Sequence, residues 1–256
     1  ACYGTVRWLE VLSIGLFTYD QTRSPLIVAG MMVLRMSPMV IFGTLIGTIA
    51  DRFNRKLLLL FGFAFIGLMG ATLATLAAFD ALPLWGLGIA VFMSGIFFSA
   101  DITIRRTLLG EAAGADMGRA MALDSATSNA TRMLGPLTGG IVYESLGLQG
   151  VYSISAIVCL LVVVLVSRLP TPTRNSSAAH LPFIESIRSA LRYVNEHPSI
   201  KATLSVTIII NVWAFPVATM VPVIGRDTLD LSAAWVGVLA SGEGAGAFLG
   251  ALVLSW

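Results

Sequence analysis

Charge is what this chain has least of. Asp, Glu, Lys and Arg make up 12% of its 256 residues, about half the ~25% of an ordinary soluble domain. So little charge excludes a solvated globular surface, and a net charge of +2 gives no basic face for nucleic acid. Cysteine is almost missing as well. Cys2 and Cys159 stand far apart in apolar context, which excludes a disulfide framework and leaves both as small buried residues. The two histidines, His180 and His197, have no acidic or Cys partner at ligand spacing, so no metal site is expected. There is no G-x-x-x-x-G-K-[ST] phosphate loop, no G-x-S-x-G elbow and no H-E-x-x-H run. Direct use of ATP and hydrolytic catalysis are therefore not expected, and neither is a cofactor. The chain does not read as an enzyme.

What it has instead is apolar length. Hydrophobic residues make up 56%, and the mean hydropathy is +0.86. Apolar runs separated by short polar turns divide the chain into eight spans, over roughly 1–19, 25–49, 57–79, 83–106, 120–142, 147–167, 201–223 and 233–256. Each is near the ~20 residues that cross a bilayer as a helix. None alternates as an outer-membrane barrel strand does, and lipid tolerates no other open conformation. The fold class is an all-α membrane protein. Ala1 lies inside the first span and Trp256 inside the last, so the expectation is a fragment truncated at both ends. The organisation expected is a six-helix bundle over 1–167, a linker over 168–200, and the first two helices of a second bundle over 201–256.

The linker is polar. Within it Phe183, Ile187, Leu191 and Val194 share one helical face and Glu185, Arg188, Arg192 and Glu196 the other, an amphipathic pattern suited to a membrane surface or to a solvated connector. Basic residues set the orientation. The loops at 50–56, 106–119 and 168–201, with their edges, hold eleven Lys and Arg, against Arg23 and Arg226 alone on the other side. Positive charge stays inside, so those three loops are expected to face the cytoplasm of a bacterial inner membrane.

The densest polar turn is Gly47-Thr48-Ile49-Ala50-Asp51-Arg52-Phe53-Asn54-Arg55-Lys56. Its spacing, G-x-x-x-D-R-x-x-R-K, resembles the signature between the second and third helices of the major facilitator superfamily. The resemblance implies a 6+6 helix repeat, of which about 8 of an expected 12 helices are present here. A shift of 207 residues lays Gly237 on Gly30 and Gly250 on Gly43, in keeping with such a repeat. It also implies a conformational gate at Gly47, Asp51, Arg52, Arg55 and Lys56, with Asp101 as the acid for Arg55 and Asp124 as a further member. Asn54 stands where the family commonly has glycine, and it tolerates the left-handed geometry of a tight turn.

A second motif, Arg132-Met133-Leu134-Gly135-Pro136-Leu137-Thr138-Gly139-Gly140, resembles the core of the fifth-helix motif of antiporters, in which Arg132, Gly135, Pro136, Gly139 and Gly140 are the matching positions. Proline bends a helix and glycine admits close neighbours, so a simple kinked packing helix is the competing reading. The pairs Gly43/Gly47 and Gly246/Gly250 read as packing grooves, and Met31, Met32, Met36 and Met39 as core or as cavity lining.

Glu10, Arg35, Arg132 and Glu243 stand roughly nine to thirteen residues from a water interface, about 14–20 Å deep at 1.5 Å per residue. Charges at that depth cost at least ~2.5–3.5 kcal/mol each on insertion scales, so they pair or face a cavity. They are the candidates for substrate and proton binding, with ion pairs that simply hold helices together as the alternative. Arg7, one turn from Glu10, can also neutralise it.

The run Tyr19-Asp20-Gln21-Thr22-Arg23-Ser24-Pro25, with Arg35 and Pro38, resembles the drug:proton antiporter branch that holds enterobactin exporters and macrolide efflux proteins. That resemblance implies proton-coupled efflux of small amphipathic molecules by alternating access. The partners it implies are a small-molecule substrate, protons and the lipid bilayer, with the protein acting as a monomer. The alternatives are an uptake permease of the same superfamily, or a transport-inactive membrane sensor or scaffold.

Overall fold

The computed structural model describes residues 2–168, 192–213 and 215–254. They are helical almost throughout, with no β-strand among the described residues. Five long helices come first: α1 (Cys2–Thr22), α2 (Pro25–Arg52), α3 (Arg55–Ala78), α4 (Leu84–Ala113) and α5 (Met117–Ser167). Then follow α6 (Pro198–Trp213), α7 (Phe215–Thr219), a helical turn at Val221–Val223, a π-turn at Ile224–Thr228, and α8 (Ala233–Leu254).

Among the described residues four stretches are long and apolar enough to cross a membrane: Pro25–Gly43, Arg55–Ala78, Leu84–Gly110 and Met117–Ser167. The last carries two of the expected spans, because Gly147 breaks α5 with φ +63° and ψ −164°. That is backbone only glycine adopts freely, and it turns the chain at the boundary expected between 142 and 147. α1 and α8, of 21 and 22 residues, are each about 32 Å long at 1.5 Å per residue. The outer surfaces of α2, α3 and α4 are apolar: Val40, Leu26, Phe61 and Trp85 are between 73% and 86% exposed. Water would penalise so much bare hydrocarbon, whereas a bilayer is its natural solvent.

The chain forms two compact units, residues 1–171 with 220–256, and residues 172–219. In the first, α5 packs chiefly against α1, α3 and α8, and α2 against α4. One buried cluster joins Ile14, Met31, Met32, Leu73, Leu87 and Tyr152, so Met31 and Met32 are core, while Met39 is exposed. Another joins Phe63, Ile66, Phe97 and Cys159. Phe63, Phe97 and Tyr3 stack edge to face, with centroids 4.8–5.8 Å apart. In the second unit α6 exposes Val206, Ile208, Ile209 and Trp213. The expected amphipathic helix lies outside the described residues except for its end, Arg192–Glu196, which is helical.

Three expectations need correction, the simplest being Cys2, which is exposed while Cys159 is buried. Asn54 is not left-handed: at φ −66° and ψ 112° it is the extended N-cap of α3, its Oδ1 accepting from the backbone N–H of Lys56 (3.0 Å) and Leu57 (3.4 Å). A side-chain cap satisfies helix-end donors that glycine would leave bare. Among the described residues the glycines of the GxxxG pairs do not form packing grooves. A Cβ built on Gly43, Gly246 or Gly250 meets nothing within 4 Å; the glycines that touch another helix are elsewhere.

Candidate functional site: a glycine seam and two polar ends

Those glycines are in the second motif. Along α5 they lie on two faces. A Cβ on Gly139 would sit 3.0 Å from the Cα and O of Leu9, and one on Gly135 would press on Trp8 and lie 2.7 Å from the carbonyl of Thr5. That face holds α1. On the other face Gly140 abuts the carbonyl of Ala233, Gly237 would meet the carbonyl of Pro136 at 2.6 Å, and Gly244 would meet the Met133 nitrogen at 2.5 Å. That face holds α8. In lipid no hydrophobic force joins helices, so backbone contact through small residues does. Pro136 lacks the N–H that would bond the carbonyl of Arg132, and Gly244 of α8 lies against that same peptide. The motif is where α5 meets two helices at once.

Charge crosses the same seam. Arg132 Nη2 donates to Glu243 Oε1, pairing α5 with α8. Arg132 also lies over the Trp8 ring, 5.1 Å from its centroid. The other two deep charges behave differently. Glu10 and Arg35 are 4% and 3% exposed, yet they form no ion pair within 4 Å among the described residues. Glu10 Oε1 accepts instead from the Ser155 hydroxyl, with Arg35 and Arg7 as the cations whose fields reach it. Arg35 Nη1 is buried with no hydrogen-bond partner. Arg7 does not close an intrahelical pair with Glu10; its guanidinium rests on Phe98 at 4.6 Å and Trp8 at 5.7 Å.

At one end of the bundle Arg105 is the cation shared by the acids expected to face Arg55. It donates to Asp124 and lies 4.0 Å from Asp101 one helical turn earlier. Lys56 Nζ donates to the carbonyl of Ser167 (2.9 Å), tying α3 to the end of α5. The side chains of Gly47, Asp51 and Arg52 lie outside the described ones, though the α2 backbone is helical through Arg52.

The opposite end is more elaborate than the sequence suggested. The Tyr19 hydroxyl donates to Asp227 (2.7 Å). Asp20 Oδ2 accepts from Arg226 Nη2 and from the Tyr143 hydroxyl, each at 3.1 Å. Arg226 Nη1 also donates to the carbonyl of Leu231 at 3.2 Å. Glu144 Oε2 accepts from the Ser232 hydroxyl and the Ala234 backbone, both at 2.7 Å. It thereby caps the N-terminus of α8 from another helix, where the dipole favours an anion. Nothing local in the sequence ties Asp20 to Arg226 or Tyr143. These partners come from 206 and 123 positions away, and no local spacing carries that. Asp101 and Arg105, four apart, have the spacing of a helical pair, a signal that assigning Asp101 to Arg55 passes over. Among the described residues no group of three or more His, Cys, Asp or Glu is placed to hold a metal.

The helices of this all-helical membrane protein meet through glycine, with the Arg132–Glu243 pair across the seam and polar clusters at both ends. The chain belongs to the transmembrane secretion effector family of the major facilitator superfamily, whose model matches residues 4–256. It is 25% identical over 202 residues to an uncharacterized MFS-type transporter, YfiS, of Bacillus subtilis, covering 75% of this chain and 46% of that protein. It is 20% identical over 232 residues to macrolide efflux protein A of Enterococcus faecalis (89% of this chain, 71% of that protein). To macrolide efflux protein A of Streptococcus pyogenes it is 18% identical over 248 residues (95% and 61%). The chain thus spans about half to seven-tenths of the length of the curated relatives it matches.

Proposed function

We propose that this chain is part of a secondary active transporter that exports small amphipathic molecules in exchange for protons, by alternating access. The observation that carries the proposal is the seam itself. Helices held by backbone contact at Gly139, Gly140, Gly237 and Gly244 can rock against one another without repacking long side chains. The Arg132–Glu243 pair crosses that seam, at the depth where such architectures bind substrate. Glu10 and Glu243 are the carboxylates assigned to proton binding, with Arg35 and Arg132 as their countercharges. Gly47, Asp51, Arg52, Arg55, Lys56, Asp101 and Asp124 form the gate on the cytoplasmic side. The cluster of Tyr19, Asp20, Tyr143, Glu144, Arg226 and Asp227 ties the outer side. Basic loops at 50–56, 106–119 and 168–201 favour a cytoplasmic placement in a bacterial inner membrane. The names of two relatives favour efflux. A monomer suffices, since both gates lie within one chain.

The test is flux in proteoliposomes carrying the full-length protein, with a proton gradient imposed in either direction. The proposal expects efflux of an amphipathic compound that an inward proton gradient accelerates and that Glu10→Gln uncouples. Gradient-driven uptake would favour a permease. No response of any compound to the gradient, in protein shown to be folded, would leave a sensor or scaffold.

A further inference from the structure

Arg7 is a cation within an apolar span that lacks an acid of its own. Its helix runs Cys2–Thr22 and falls in the first apolar run. Among the described residues no carboxylate lies within 4 Å of its guanidinium. Asp101, the acid whose field reaches it, is already engaged by Arg105, and Glu10 by Ser155. A charge in this position is costly unless it pairs or faces a cavity. What Arg7 does face is aromatic. Its Cζ lies 4.6 Å from the Phe98 centroid on α4 and 5.7 Å from that of Trp8, and Arg132 approaches the same indole at 5.1 Å. Arg7, Trp8, Phe98 and Arg132 are all only half-buried. The cluster therefore presents two guanidiniums, one of them offset by Glu243, on an open aromatic floor from three helices. Its net charge is one positive.

We infer that this cluster is an anion-recognising substrate site, in which Arg7 pairs with the carboxylate of an amphipathic acid whose apolar body lies on Trp8 and Phe98. The inference rests on the transporter reading above and adds to it the sign of the substrate's charge. A guanidinium seated over a ring face has donors left for a planar carboxylate, and the ring face suits an apolar or aromatic body. A cationic substrate finds no uncommitted acid here. Glu243 is held by Arg132, and displacing that pair leaves two guanidiniums against the newcomer.

Three probes sharing one body separate the possibilities: 4-(1-pyrenyl)butyrate, 4-(1-pyrenyl)butanol and 4-(1-pyrenyl)butylamine. Binding to the detergent-purified full-length protein is read by energy transfer from tryptophan to pyrene. The acid is expected to bind about tenfold tighter than the alcohol, the gain of one charged hydrogen-bonded contact. Arg7→Gln removes that tenfold and leaves the alcohol within about twofold, which also reports that the variant is folded. Arg7→Lys keeps the charge but not the fork and falls between; it carries the test should Arg7→Gln not fold. Equal binding of acid and alcohol, an unchanged acid affinity in Arg7→Gln, or a preference for the amine overturns the anion site while leaving an amphipathic exporter standing. Failure of all three probes to bind overturns both readings.

Discussion

The contact between α5 and α8 can be tested with two alanines on one helix. Gly237 and Gly246 both lie in α8, nine residues apart, and differ in what surrounds them. A Cβ on Gly237 would stand 2.6 Å from the carbonyl oxygen of Pro136 and 3.1 Å from the Cα of Gly140, whereas one on Gly246 meets nothing within 4 Å. Ordinary van der Waals contact begins near 3.4 Å, so Gly237→Ala requires the helices to part by about 0.8 Å. The obstacle is backbone on both sides and cannot rotate away. Overpacking of this kind costs about 1–3 kcal/mol. Both substitutions gain the same helix propensity, up to ~1 kcal/mol, so the difference between them isolates the steric term.

The assay is unfolding in mixed micelles titrated with sodium dodecyl sulfate, followed by tryptophan fluorescence, since Trp8 and Trp235 flank the seam. Gly237→Ala should be about 1–3 kcal/mol less stable than Gly246→Ala, and Gly246→Ala should be neutral or slightly more stable than the parent. If the two variants unfold together, α8 is not seated on α5 as described. The reasoning about the Gly135–Gly140 motif then fails with it.

Three further outcomes follow from the same contacts. Replacing Arg132 and Glu243 by glutamine singly and together should give a coupling of about 0.5–1 kcal/mol. Glu243 is 47% exposed, which sets the value near that of surface pairs and not the 3–5 kcal/mol of a broken buried pair; a double-mutant cycle of zero would deny the pairing. Ser155→Ala leaves the buried Glu10 carboxylate without its recorded donor and should cost about 1–3 kcal/mol. Glu10→Gln in that background should recover part of the loss, and a loss unchanged by it would mean the serine acts only by packing. Arg226→Gln removes the donors to Asp20 and Leu231, so backbone amides over 224–234 should exchange with deuterium at least about tenfold faster, as a locally loosened segment does. Unaltered exchange there would show that the cluster is held by Tyr19 and Glu144 alone.

How far the sequence could be read depended on the range of the interaction. Helical class and apolar spans were legible because burial in lipid is a property of each segment by itself. The packing role of the α5 motif was legible for a related reason: Pro136 and its glycines are neighbours in sequence, and small residues on a helix admit close partners. Asp101, read as the acid for Arg55, lies beside Arg105 four residues on, a spacing that carried the pairing. The misreadings arose where a residue's role was settled by a distant neighbour. Gly246 and Gly250 have the spacing of a packing groove but no helix against them among the described residues, while Gly237 and Gly244, with the wrong spacing, carry the contact. Glu10 offered two cations in reach, Arg7 and Arg35, and took a hydroxyl from Ser155 instead. Nothing in the Tyr143-Glu144 dipeptide says that its side chains reach residues 20, 232 and 234.

These long-range ties differ in kind along the bundle, and the difference bears on motion. At mid-depth α5 touches α1 and α8 through backbone, where the contact surface is smooth and a small rotation exchanges one close approach for another. At the end that holds Asp20 and Arg226 the same elements are joined by directional bonds of 2.7–3.2 Å. Directional bonds resist small rotations and then fail together, because Arg226 and Asp20 each take part in two of them. A smooth pivot beside a cooperative clasp favours two discrete arrangements over a continuum. The clasped arrangement is the one this structure holds. Breaking Tyr19–Asp227 alone by Tyr19→Phe should leave it clasped, whereas Tyr19→Phe with Arg226→Gln should release it, with an effect on deuterium exchange greater than the two single changes combined. Strict additivity would mean that the bonds act independently and that this end is a fastening without a switch.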